Sequence, residues 1–191
     1  FARGGTEVRP LFVKAKVPGE VILNGTSECE FNFPHIVVDG LLFYKGTINL
    51  GEGEDNSVVK FSSHHGTLKN TAIVDYNPGE FKTAYYWVFF SGSNNTVDHC
   101  YFKGKNNMHP LIGNAIDNSR YNAVKFSYFK NIPYKVGNGR EDIRVWGSGK
   151  FDEKGKDGAY FTIEGNLFDH ADGEGTEIIS LKSNYNQVLN N

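Results

Sequence analysis

The residues best equipped for chemistry lie between Asp172 and Ser183. There Asp172-Gly-Glu-Gly-Thr-Glu-Ile-Ile-Ser-Leu-Lys-Ser183 sets two carboxylates, Glu174 and Glu177, just ahead of an apolar stretch that carries Lys182. Paired carboxylates suit a hard cation, and a lysine beside a cation has its pKa lowered, as a lysine general base requires. A second stretch, Gly137-Asn-Gly-Arg-Glu-Asp-Ile-Arg144, adds an amide oxygen, two acids and two guanidinium groups. Taken alone, two glutamates and a lysine within nine residues are more often the solvated edge of a sheet. The two stretches become one polar site only if the fold stacks them. The remaining candidates are thinner: His64, His65, His99 and His109 lack metal-ligand spacing, and two cysteines are too few for a disulfide framework.

The positioning elements follow from a repeat. An aliphatic residue followed five positions later by a bulky apolar one recurs as Val38/Phe43, Leu68/Ile73, Val97/Phe102, Val124/Phe129 and Ile163/Phe168, with a further start at Val188. Successive anchors are 30, 29, 27, 39 and 25 residues apart, which describes one repeating unit with a single long insertion. The local alternation of β-branched and aromatic residues says strand, and no segment sustains a helical stripe. Stacking the units predicts an apolar column of Phe43, Ile73, Phe102, Phe129 and Phe168. A second column, Leu41, Thr71, Cys100, Ser127, Asn166 and Asn191, can bond along the stack at a bend. This places Cys100 as a small buried thiol. Each unit also holds an earlier strand: Ser57–Ser62, Tyr86–Ser91, Leu111–Asn114, Ile143–Gly147 and Glu177–Ser183. Counting from the anchors puts Ser62, Ser91 and Lys182 in one outward column, with Asn114 and Gly147 or Ser148 expected between them.

The fold class read from this pattern is all-β, a parallel β-helix spanning residues 1–191 as one domain that continues past both ends. A net charge of −2 argues against electrostatic capture of nucleic acid or a membrane surface. No apolar run reaches membrane-spanning length. Oligomeric state is not legible.

Several of these stretches together resemble a known family. Asn138-Gly-Arg-Glu141 with Ile143-Arg-Val, Asp172-Gly-Glu and Glu177-Ile-Ile-Ser-Leu-Lys-Ser183 are similar to the motif series of polysaccharide lyase family six, which contains alginate lyases and chondroitinase B. Pro18-Gly-Glu-Val-Ile-Leu-Asn-Gly25, Val37-Val-Asp-Gly-Leu-Leu-Phe43 and Val97-Asp-His-Cys-Tyr-Phe-Lys-Gly-Lys-Asn106 agree, so the resemblance covers almost the whole chain.

The resemblance implies a right-handed parallel β-helix and β-elimination on an anionic, uronic acid-containing polysaccharide, alginate first and dermatan sulfate as the alternative. Lys182 matches the family's base. Ca²⁺ is the implied cofactor, held by Asn138, Glu174 and Glu177. The family's two acids stand two residues apart, however, and here Gly175 occupies the place of one, so Glu174 must reach the ion through a bulge. Arg140, which replaces a family glycine, offers a rival way to neutralise the substrate carboxylate. Arg144, Lys105, His109 and Tyr185 are the further substrate contacts expected. An arginine beyond Asn191 is implied as the partner that assists leaving-group departure, and a secreted or periplasmic location goes with the family. A non-catalytic solenoid that binds polysaccharide is the competing function.

Overall fold

The computed structural model describes residues 1–53, 55–147 and 158–191, and the chain is built from parallel strands stacked into three sheets. The first sheet has seven strands, from Leu11–Lys14 through Ile36–Asp39, Thr67–Lys69, Thr96–Asp98, Ala123–Lys125 and Thr162–Glu164 to Gln187–Leu189. The second runs from Val21–Gly25 to Leu167–Ala171, and the third from Cys29–Glu30 to Ile179–Lys182, with six strands each. Every coil contributes one strand to each sheet in turn. The architecture is a parallel β-helix, as the repeat predicts.

The anchors pair in sequence, Val38 with Leu68, then Val97, Val124, Ile163 and Val188. Phe43, Ile73, Phe102, Phe129 and Phe168 likewise form one column, closing with rings stacked at 4.7 Å between Phe129 and Phe168. Burying these rungs against one another is the main stabilising term, at roughly 25 cal/mol per Å² of apolar surface. The bend between the first two sheets is held by side chains. Ser127 N–H donates to Asn166 Oδ1 at 2.9 Å, Asn166 N–H to Asn191 Oδ1 at 3.0 Å, and Cys100 N–H to Ser127 Oγ at 3.1 Å. The Cys100 thiol is buried there and its pKa is pushed up to about 12 by desolvation. The same bend needs a left-handed residue in each coil, so Gly40, Asn70, His99, Phe126, Gly165 and Asn190 all have positive φ. A second polar ladder, not anticipated, closes the turn before the first sheet, where Asn95 N–H donates to Asn122 Oδ1 at 2.8 Å and Gly66 N–H to Asn95 Oδ1 at 2.7 Å.

In the third sheet the register departs from the anchor count. Phe90 pairs with Asn114, one position short of Ser91, and Asn114 turns inward to bond the backbone of Trp146. Trp146 instead stands opposite Lys182. The long loop between the sheets has shifted the count by one residue, which reverses the face of a strand residue. Ser148, the other expected occupant, lies outside the described residues.

Candidate functional site

Lys182 ends the strand Ile179–Lys182 on its outer face, with its side chain about one third exposed and its Nζ 3.5 Å from Glu177 Oε1. Ser180, two residues earlier on the same face, donates its hydroxyl to that same oxygen at 2.7 Å. Ser180 foremost, with the charges of Lys182 and Arg144, holds the Glu177 carboxyl below its ordinary range. Glu177 is therefore an anion fixed beside the lysine.

One coil away, the strand Ile143–Trp146 pairs with Ile179–Lys182, Arg144 facing Ser180. Arg144 grips Glu141 through two nitrogens, Nε meeting Oε1 at 2.7 Å. Glu141, Glu174 and Glu177 converge, their ligand atoms lying within 4.8 Å of one another. Glu174 is buried; its Oε2 accepts the Arg140 backbone N–H at 2.6 Å and its Oε1 has no protein partner. Three converging carboxylates, one with an oxygen that the protein leaves unsatisfied, fit a divalent cation such as Ca²⁺. The two stretches singled out in the sequence thus form one site.

Not every expected residue reaches it. Asn138 sits exposed on the loop ahead of the cluster, and Glu141 joins the two expected acids among the converging carboxylates. Arg140 corrects the expectation of direct substrate contact more sharply. It is 2% exposed, and its guanidinium donates to the carbonyls of Asn107 at 2.9 Å, Pro133 and Gly173 at 2.8 Å each, and Lys105 at 3.0 Å. It clasps three segments from beneath and does not face a substrate. Lys105 is also turned inward, 1% exposed, its amine ringed by Asn107 Oδ1 and the carbonyls of Asn107, Met108 and His109. Burial holds that amine well below its ordinary pKa. Asp142, next to both cations in the same buried layer, has neither carboxylate oxygen partnered, and desolvation pushes its pKa well up. These three form a buried layer of ionisable groups under the loop.

His109 and Arg144 line a cavity on the outer face of the third sheet. Tyr185 lies in the turn after Lys182, exposed and stacked on Tyr160 at 5.1 Å. The residues that sequence reasoning passed over are Glu141 as a cluster member, Ser180 as the hydrogen-bond donor to Glu177, and Trp146 as the neighbour of Lys182. Glu141 was visible within the Asn138–Glu141 motif. Trp146 carried no signal, because the insertion in its coil breaks the count.

The geometry agrees with what the chain resembles. The sequence model of the chondroitinase B family matches residues 1–191. A PL6 family polysaccharide lyase from Pseudopedobacter saltans superposes with a TM-score of 0.90 at 53% identity, over 96% of this chain and 42% of its own. The PL6 family alginate lyase AlyGC gives 0.79 at 25% identity, over 98% of this chain and 26% of its own. A mannuronic acid-specific family 6 lyase from human gut microbiota gives 0.81 over 97% and 43%, and at 24% identity it attests the fold alone. The chain spans less than half the length of these structures. No curated protein matches it.

Proposed function

Because this chain belongs to the chondroitinase B family of polysaccharide lyases, family PL6, we propose that it carries the base side of a β-elimination on a uronic acid-containing polysaccharide, alginate in first place. The observation that carries the reading is the pairing of Lys182 with Glu177 at 3.5 Å beside the converging carboxylates of Glu141, Glu174 and Glu177. In the reaction Lys182 takes the proton from C5 of the uronate. The C5–H electron pair forms the C4=C5 double bond, the C4–O4 bond breaks, and O4 leaves with a proton from a donor, the arginine that the resemblance places beyond Asn191. Glu177 orients the lysine amine, and Ser180 orients Glu177.

Glu141, Glu174 and Glu177 would hold a Ca²⁺ ion. When bound, such an ion supplies positive charge that offsets the negative charge growing on the uronate carboxylate. Arg140 supplies none of it, since its guanidinium is committed to four backbone carbonyls. The distribution of charge also favours alginate over dermatan sulfate. A sulfate ester needs a cation of its own, whereas among the described residues Arg140 and Lys105 are buried and Arg144 is neutralised by Glu141. The alginate lyases among the structural relatives point the same way. Action on such a polymer goes with a secreted or periplasmic enzyme.

The test is a side-by-side incubation of full-length protein with alginate and dermatan sulfate, followed by ultraviolet absorbance of the conjugated double bond. Absorbance on alginate is the expected result. Binding of both polymers with no absorbance on either would establish the non-catalytic solenoid instead.

A further inference from the structure

His35, His64 and His65 share no ligand spacing along the chain, but the stacking of coils brings them together. His35 lies in the corner between the strands Cys29–Glu30 and Ile36–Asp39, and His64 and His65 occupy the same corner one coil on, between Ser57–Phe61 and Thr67–Lys69. The His35 backbone N–H donates to the His64 carbonyl at 3.3 Å, which sets His35 and His65 in one column. Both hold a positive φ, 54° and 57°, and the column continues as Asn94 at 59°.

The three rings form a compact group. Those of His35 and His65 are 4.8 Å apart and within 1° of parallel, and His64 lies 5.1 Å from His65 and 6.2 Å from His35. Among the described residues no protein hydrogen bond occupies their nitrogens, whereas His99 and His170 commit Nδ1 to the carboxylates of Asp98 and Asp169. His64 and His65 are exposed and His35 is half-buried, so an ion reaches them from solvent. Desolvation, with the rings of His35 and His64 close by, holds the His65 imidazole below its ordinary pKa, which leaves it in the neutral, ligating form at about pH 7.

The spacing suits one ion. A tetrahedral Zn²⁺ sits about 2.0–2.1 Å from each imidazole nitrogen and so about 3 Å from each ring centre, which separates the centres of two ligand rings by about 5 Å. Two of the three observed separations have that value, and the third exceeds it by about 1 Å. In the structure His35 and His65 are stacked and the nitrogens of the three rings do not meet at one point. Rotation about χ2, a broad two-fold torsion in histidine, swings the nitrogens while each ring centre stays nearly in place.

We propose that His35, His64 and His65 form a Zn²⁺ site, completed by water, that clips two successive coils together and is separate from the carboxylate cluster. It lies on the corner after the third sheet, four coils from Lys182, about 19 Å along the axis at about 4.8 Å per coil. Imidazole nitrogens select Zn²⁺, whereas the carboxylates suit the harder Ca²⁺. The ion takes no part in proton removal.

The test is a calorimetric titration of the full-length protein with Zn²⁺ in the presence of excess Ca²⁺, with Co²⁺ as the spectroscopic probe. The parent should take up a single equivalent, give the intense visible bands of tetrahedral Co²⁺, and melt at a higher temperature with Zn²⁺ than without it. His35→Asn and His65→Asn are the informative variants, because asparagine tolerates a positive φ, as Asn94 does in the next coil. Each should weaken Zn²⁺ binding at least about tenfold and abolish the Zn²⁺-dependent rise in Tm, while its Tm without Zn²⁺ stays near the parent's. His64→Ala, at an exposed position, should weaken binding in the same way. Affinity unaltered in these variants places the ion elsewhere and overturns the proposal. So does the absence of Zn²⁺ binding by the parent up to about 1 mM, or a Co²⁺ complex with only the weak bands of octahedral coordination.

Discussion

Replacing Arg140 with methionine separates a structural clasp from a substrate contact. Methionine keeps an unbranched side chain of comparable reach and removes every donor. The carbonyls of Lys105, Asn107, Pro133 and Gly173 would each lose a charged hydrogen-bond donor now at 2.8–3.0 Å. Hydrogen bonds to charged groups contribute about 1.5–3 kcal/mol each, which taken at face value overshoots. Removing the guanidinium also relieves its own desolvation, and breaking a buried charged network typically costs about 3–5 kcal/mol in all. Asp142, already without a hydrogen-bond partner, loses one of its two neighbouring cations as well. For a domain of this size about 4 kcal/mol lowers Tm by roughly 10 °C. Thermal melts followed by circular dichroism, with urea midpoints alongside, are the assay. A Tm within about 2 °C of the parent, accompanied by a raised KM, would refute the clasp and restore Arg140 as a direct contact for the uronate.

Three further outcomes follow from the same geometry. Glu177→Gln should be less stable than the parent at about pH 7 and converge with it in acid: the native carboxyl is held below its ordinary value of 4.5, so its stabilisation is complete above that value and vanishes as the pH falls through the native pKa; parallel urea titrations across pH check this, and a gap independent of pH contradicts it. Asn122→Ala should cost about 1–3 kcal/mol, because it strands the buried Asn95 N–H and takes its donor from the half-buried Gly92 carbonyl; denaturant unfolding measures it, and a loss under about 0.5 kcal/mol would deny the ladder its role. Chelation should silence eliminating activity and added Ca²⁺ restore it, since Glu141, Glu174 and Glu177 otherwise face one another with a buried Glu174 oxygen unsatisfied; full activity in chelator would remove the ion from the site.

What the sequence made legible was what repeats. Phe43, Ile73, Phe102, Phe129 and Phe168 could be assigned to one column because each stands five residues after an anchor, and parallel pairing preserves that offset. The Ser127, Asn166 and Asn191 ladder was legible for the same reason. The third sheet was harder, because loops of unequal length separate its strands from the anchors. A one-residue error in such a loop exchanges the inner and outer faces, as it did for Asn114, and it hid Trp146 beside Lys182. Inward turns of charged groups were also invisible. Arg140 and Lys105 lie in stretches that read as polar loop, and charged residues are almost never fully buried. Only the converging backbone carbonyls make their burial tolerable, and carbonyl positions belong to the folded chain. Glu141 joined the carboxylate cluster through stacking of coils about one repeat apart, a relation that motif spacing within a single coil does not contain.

The central claim is that Lys182 removes the uronate proton. The direct measurement is the rate of ultraviolet absorbance increase on alginate for full-length protein and for Lys182→Ala, with oligosaccharide affinity measured for both. Lys182 stands on the outer face of its strand with its amine near Glu177, so its loss should leave folding and binding largely intact while absorbance no longer rises above the uncatalysed drift. A variant that still generates the unsaturated product at a rate near the parent's would contradict the account.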